Sequence, residues 1–155
     1  MFRQLWEELG GSWTGAVQDA LVPPGTPLIY THESPPLSEV IRDINKYSNN
    51  VMARQLYLTL GAAGSGPPAR AENAYQSVRT VLARRGLDMP ELVIENGAGL
   101  SRIERISGRN LLRLLVAAYS GPHMADFVSS LPLVAVDGTM RRRLKALPVA
   151  GQAHI

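Results

Sequence analysis

The hydrophobic positions between residues 37 and 60 predict two consecutive helices. Apolar side chains first recur with the i, i+3, i+4, i+7 spacing of one helix face, at Leu37, Val40, Ile41 and Ile44. A second stripe of the same kind follows at Val51, Met52, Leu56 and Leu60. The residues between the stripes are polar, and short serine and asparagine side chains hydrogen-bond to nearby backbone and favour turns over helix interiors. We therefore predict a helix, a tight polar connection at Ser48-Asn49-Asn50 and a second helix.

The remaining patterns predict further helices and a few short strands. Helical spacing, capping residues and glycine or proline stops predict helices at 2–9, 69–85, 110–120 and 123–130. We expect 110–120, the most apolar of these, to be buried. Short alternations and apolar runs predict strands at 12–20, 28–32 and 92–94, the first two as an antiparallel pair, and the start of another at 149–155. The predicted fold class is α+β, with a helical cluster packed on part of an antiparallel sheet.

Composition narrows the function classes. The chain has 155 residues, enough for one domain with a core, and 45% of them are hydrophobic. It has no cysteine, which excludes disulfides and thiolate zinc sites within it. The three histidines are far apart and lack metal-ligand spacing, so we expect no metal and no cofactor.

The basic residues do not indicate a nucleic-acid-binding protein. The net charge is +3, with 14 arginines and only two lysines, Lys46 and Lys145. The arginines are spread along the chain, and the aromatic residues that would stack on bases are few. No apolar run approaches the roughly 18–20 residues of a transmembrane helix, and the acidic start is unlike a signal peptide.

The polar connection alone favours a solvated helix junction over a functional site, but its flanks favour the site. Residues 34–56 resemble the Ser-x-Asn motif of low-molecular-mass penicillin-binding proteins. Two further matches follow in order, Asn96-Gly-Ala-Gly-Leu-Ser-Arg102 and Leu131-Pro-Leu-Val-Ala-Val-Asp-Gly-Thr-Met-Arg-Arg-Arg143. The chain thus resembles, over nearly its whole length, D-alanyl-D-alanine carboxypeptidase/endopeptidases of the penicillin-binding protein 4 type, serine peptidase family S13.

The resemblance implies roles for four residues. Ser48 would relay a proton to the leaving amine, since a hydroxyl can donate and accept at once. Asn50 would hold the scissile peptide in line through its amide. The alternative for both is a turn without a catalytic part. Leu100 would contact the aliphatic part of the stem peptide and Arg102 a carboxylate of its diamino acid, the alternative for Arg102 being a structural salt bridge.

Two other motifs of the family pattern are not found in the sequence. No serine has a lysine three positions later, and there is no Lys-Thr-Gly. By resemblance, residues 1–155 are a single partial domain, the C-terminal part of a transpeptidase-like catalytic domain cut before the Lys-Thr-Gly strand. We therefore expect the isolated chain to be inactive, and to expose a sheet edge or apolar face that favours a homodimer, disorder or domain swapping.

The implied parent function is serine-type hydrolysis of D-Ala-D-Ala in peptidoglycan stem peptides. It would run through an acyl-enzyme, with β-lactams as covalent inhibitors and a periplasmic or cell-wall location. The alternative is a non-catalytic cell-wall-binding or assembly module derived from such an enzyme. A β-lactamase or esterase of the same superfamily would share the acyl-enzyme but differ in substrate.

Overall fold

A computed structural model describes residues 2–155, which divide into two units, 2–33 and 34–155. The helices are α1 (Phe2–Glu8), α2 (Leu37–Tyr47), α3 (Asn50–Ser65), α4 (Ala71–Arg84), α5 (Gly108–Tyr119) and α6 (Met124–Ser130), with a short 3-10 helix at Gly138–Met140. Within the described residues no helix has the length and apolar character needed to cross a membrane.

The first unit contains the predicted N-terminal helix but not the predicted strand pair. The Trp6 indole donates to the carbonyl of Ser12 (3.1 Å) and closes the end of α1. The strands expected at 12–20 and 28–32 are wrong, because both segments are irregular and pair with no neighbour among residues 2–155. Alternating polarity favours a strand only where a second backbone is available to form the ladder.

The second unit is built on the packing of α3 against α4. At Gly61 a Cβ atom would lie 2.8 Å from the backbone nitrogen of Ala74 and from the carbonyl oxygen of Arg70. The backbones of the two helices are therefore in direct contact at this point, with no room for a side chain between them. At the C-terminal end of α4, a small apolar core is formed by Leu82, Leu87, Met89 and Leu92. The sequence Arg85-Gly86 ends α4 as predicted, with Gly86 in the left-handed region (φ 69°).

Helix α5 begins two residues before the predicted 110–120 and ends one residue earlier, and it is not buried. Ser107 caps it, its hydroxyl accepting from the Asn110 N–H (3.2 Å). Glu91 accepts hydrogen bonds from Ser107 and Asn110, and these lower the pKa of its carboxyl to about 2. The expected burial is wrong: no residue of α5 is buried, and Leu112 and Tyr119 are each 62% exposed. An apolar helix face is buried only where another element packs against it, and the composition of the helix does not determine whether such an element is present.

The predicted antiparallel sheet is not found in residues 2–155. Two isolated antiparallel bridges stand in its place, Val93 with Arg105 and Leu133 with His154. Residues 149–155, predicted to begin a strand, do lie along 132–136, with the Val134 N–H donating to the Ala153 carbonyl (2.9 Å). The helical cluster is confirmed, whereas the sheet is not, because each extended segment pairs at a single position.

Candidate active site

The connection between α2 and α3 consists of Ser48 and Asn49 alone. Ser48 adopts a left-handed conformation (φ 53°, ψ 49°), and its side chain is exposed. Asn49 is the N-cap of α3, its side-chain oxygen accepting from the Met52 N–H (3.1 Å). The predicted helix, tight turn and helix are therefore confirmed. In this polar cluster, the Asn49 side chain caps α3, whereas Ser48 is exposed and its side chain caps neither α2 nor α3.

Asn50 joins this turn to the glycine-rich loop 96–102. Its Nδ2 donates to the carbonyl of Ala98 (3.0 Å), a residue 48 positions later in the chain. Within residues 2–155, its Oδ1 accepts no hydrogen bond. Ser48, Asn50 and residues 97–99 line one cavity of about 270 Å³. A hydroxyl and an amide oxygen are thus both available at a concave surface.

Glu104 shapes the loop that carries Ala98. One oxygen of its carboxylate accepts the N–H groups of Glu95 (3.0 Å), Asn96 (3.0 Å) and Gly97 (3.2 Å). The loop is also closed at its base by the Val93–Arg105 bridge. Sequence reasoning missed Glu104, which is half-buried, since nothing in the spacing of a single glutamate indicates that three backbone donors will converge on it.

Tyr57 packs against the same loop at Gly97. A side chain at Gly97, which has φ 68°, would lie 2.5 Å from the Tyr57 Cβ, so only glycine fits there. Burial, followed by the charge of Glu104, raises the pKa of the Tyr57 phenol. Its hydroxyl donates to the carbonyl of Ala71 (3.2 Å). Tyr57 is therefore a neutral structural residue.

Leu100 and Arg102 lie on a neighbouring depression. Both side chains are exposed, Leu100 by 72%, and they line a wide hollow of about 540 Å³ together with Ser101 and Ile103. The structural salt bridge weighed for Arg102 is not formed within the described residues, where the ion pairs are Arg3–Glu7 and Lys46–Asp137. The two predicted residues thus lie together, but they line a different hollow from Ser48 and Asn50.

Lys46, two residues before Ser48, is already paired. Its Nζ donates to Asp137 Oδ2 (2.5 Å) and to the Leu131 carbonyl (2.9 Å), and its side chain is only 13% exposed. The hydrogen bond from Lys46 is the main cause that lowers the pKa of the Asp137 carboxyl. Lys46 is therefore not free to act as a base at the turn. Asp137, which precedes the turn at Gly138, is its counter-ion.

No candidate metal centre lies in the part of the chain that the structure describes. Residues 2–155 contain no group of three or more histidine, aspartate or glutamate side chains arranged to hold an ion. Ser48 and Asn50 bring a hydroxyl and an amide to one hollow, and Arg102 brings a guanidinium to the neighbouring one.

Comparison with known proteins assigns the family. The model of the D-Ala-D-Ala carboxypeptidase 3 (S13) family matches residues 1–154. The chain belongs to this family. It is 26% identical over 141 residues to D-alanyl-D-alanine carboxypeptidase DacB of Haemophilus influenzae, covering 91% of this chain and 29% of that protein. It is 31% identical over 127 residues to the D-alanyl-D-alanine carboxypeptidase of Actinomadura sp. (strain R39), covering 77% of this chain and 23% of the relative.

A solved structure shows the same fold. The crystal structure of penicillin binding protein 4 (dacB) from Haemophilus influenzae, complexed with a novel β-lactam, superposes with a TM-score of 0.76. The sequences are 23% identical, and the match covers 97% of this chain and 35% of the other. The chain therefore has a penicillin-binding-protein-like fold and spans about a third or less of the relatives that it matches.

Proposed function

We propose that residues 34–155 form one wall of the active site of a serine-type D-Ala-D-Ala carboxypeptidase that acts on peptidoglycan stem peptides. The observation that supports this most is the cavity lined by both Ser48, which is exposed, and Asn50, whose amide oxygen accepts no hydrogen bond within residues 2–155. It occurs in a chain of the S13 family, at a turn that matches the Ser-x-Asn pattern.

The proposed reaction has two steps. A nucleophilic serine attacks the carbonyl of the penultimate D-alanine, its proton passes through Ser48 to the departing amine of the terminal D-alanine, and an acyl-enzyme forms. Water then attacks the ester, and the serine regains a proton as the shortened peptide leaves. Asn50 accepts from or donates to the bound peptide and keeps it in line.

The 155 residues contain neither Ser-x-x-Lys nor Lys-Thr-Gly, and we infer that they do not include the nucleophile of this reaction. We propose that polypeptide outside residues 1–155 supplies both motifs and that these residues are inactive alone, as one partial domain of the catalytic unit. β-Lactams would acylate the same nucleophile, and the substrate would place the enzyme in the periplasm or cell wall.

The test is labelling of the complete gene product with a fluorescent penicillin. Ser48→Ala is expected to lower the acylation rate constant by about 100-fold or more, the usual contribution of a proton-transfer group. Ser38→Ala is the matched control, because Ser38 lies on the same two-helix segment and is also exposed. If the complete protein carries no Ser-x-x-Lys and takes no label yet pellets with peptidoglycan, the non-catalytic wall-binding module replaces this proposal.

We also propose that Leu100 and Arg102 bind the stem peptide. Arg102 is exposed at the hollow with its guanidinium unpaired in the described chain, so it is available for a carboxylate of the diamino acid. Arg102→Ala is expected to raise KM for a stem peptide about tenfold or more with less effect on penicillin acylation. Arg109→Ala, another exposed arginine, is the control. Unchanged stem-peptide turnover in Arg102→Ala would contradict the assignment.

A further inference from the structure

The backbone of Ser48 is held in a strained conformation. Its φ of 53° and ψ of 49° lie in the left-handed region, which costs an L-residue roughly 1–2 kcal/mol relative to right-handed helix. Such conformations persist only where the surroundings over-determine them, and they cluster at functional sites. The structure must therefore contain contacts that fix the end of α2.

Two consecutive residues at the end of α2 are tied to the segment 130–137. Asn45 Nδ2 donates to the hydroxyl of the fully buried Ser130 (2.8 Å). Lys46 Nζ donates to both Asp137 and the Leu131 carbonyl. Because the Lys46 side chain is only 13% exposed, water cannot readily replace these partners.

Asp137 is itself fixed from the opposite side. Its Oδ1 accepts the Leu133 N–H (2.7 Å), while its Oδ2 receives Lys46. The next residue, Gly138, lies directly against α2, where a side chain would be 2.3 Å from the Lys46 carbonyl oxygen. The turn at 137–138 thus contacts Lys46 at two places: Asp137 binds its ammonium, and Gly138 packs against its backbone carbonyl.

We propose that Asp137 is a positioning residue, which together with Lys46 clamps the last turn of α2 and so fixes the left-handed Ser48 in the active site. The inference deepens the proposed function and rests on it for its effect on catalysis. Displacement of a reacting group by about 1 Å can cost 100-fold in rate. Without Asp137, the largely buried ammonium of Lys46 loses its counter-ion, and the end of α2 moves to hydrate it.

The test compares acylation kinetics and the Ser48 backbone in the complete gene product. Asp137→Asn keeps the size of the side chain but removes the charge. We expect the first-order acylation rate constant for a fluorescent penicillin to fall 10- to 100-fold. The dissociation constant of the initial non-covalent complex should change less than about twofold. Lys46→Met should reproduce the loss, whereas Lys145→Met, which removes the other lysine, should not.

Two further variants separate positioning from stability. Ser107→Ala removes the α5 cap and should lower Tm without changing acylation. The double variant Lys46→Met/Asp137→Asn buries no unpaired charge, so it should fold even if Asp137→Asn does not. It should still show the slow acylation.

The Ser48 backbone provides a measurement independent of activity. In serine-labelled protein, the Cα and Cβ chemical shifts of Ser48 should leave their left-handed values in Asp137→Asn and in the double variant. Unchanged shifts, or normal acylation in a folded Asp137→Asn or double variant, would overturn the clamp. If the wild type is not acylated at all, the proposed function fails, and the Ser48 shifts alone decide whether the clamp exists.

Discussion

Replacement of Glu104 by glutamine should loosen the loop that holds Asn50. In the wild type, one carboxylate oxygen accepts three backbone N–H groups, at 3.0, 3.0 and 3.2 Å. A glutamine oxygen still accepts, but it lacks the charge that makes such bonds roughly twice as strong as neutral ones. A hydrogen bond to a charged group contributes about 1.5–3 kcal/mol, and a neutral one about 0.5–1.5 kcal/mol.

The expected loss follows from these contributions. About 1 kcal/mol per bond would give about 3 kcal/mol for three independent bonds, but the three donors share one oxygen, which reduces the sum to about 2 kcal/mol. A change of 2 kcal/mol corresponds to a factor of about 30 in the local opening equilibrium. The loop would then open about 30 times more often, and the Ala98 carbonyl would hold the Asn50 amide less firmly.

Hydrogen exchange measures this opening directly. The amides of residues 95–97 should exchange about 30-fold faster in Glu104→Gln, and acylation of the complete protein by penicillin should slow. Glu95→Gln is the matched control for exchange, because the Glu95 side chain accepts no hydrogen bond in the described chain. If the three amides keep wild-type protection in Glu104→Gln, the carboxylate does not organise this loop, and the reasoning is refuted.

Two further predictions concern stability. The folded-state pKa of Glu91 is lowered from 4.5 to about 2, chiefly by the Ser107 hydroxyl, so its contribution is present above pH 4.5 and is lost as pH falls towards 2. Urea unfolding at pH 5 and pH 3 should therefore show a smaller acid-induced loss in Glu91→Gln than in the wild type, and equal losses would contradict the assignment. Gly97→Ala should destabilise by about 2–4 kcal/mol, because φ is positive and the new methyl meets Tyr57. Gly99→Ala, at a similar φ in open space, should cost only about 1–2 kcal/mol in the same chemical denaturation assay, and equal costs would remove the packing argument.

Local patterns predicted the elements whose determinants are close in sequence. The two helices around Ser48-Asn49-Asn50 follow from apolar spacing and from an asparagine cap, both of which act within a few residues. The cap at Ser107 and the stop at Gly86 were predictable for the same reason. The strands at 12–20 and 28–32 were not, because a strand depends on a partner that the segment itself does not encode.

The sequence by itself determined the family, the helical segments and the four residues proposed to act on substrate. Only the tertiary structure decided how they are grouped: Ser48 and Asn50 share one cavity, while Leu100 and Arg102 line another. It also revealed two carboxylates that act from distant positions: Asp137 accepts a hydrogen bond from Lys46, and Glu104 accepts the backbone N–H groups of residues 95–97. The physical reason is that helix periodicity and capping are short-range, whereas a carboxylate's partners are set by which backbone and side-chain donors folding brings within 3 Å of it.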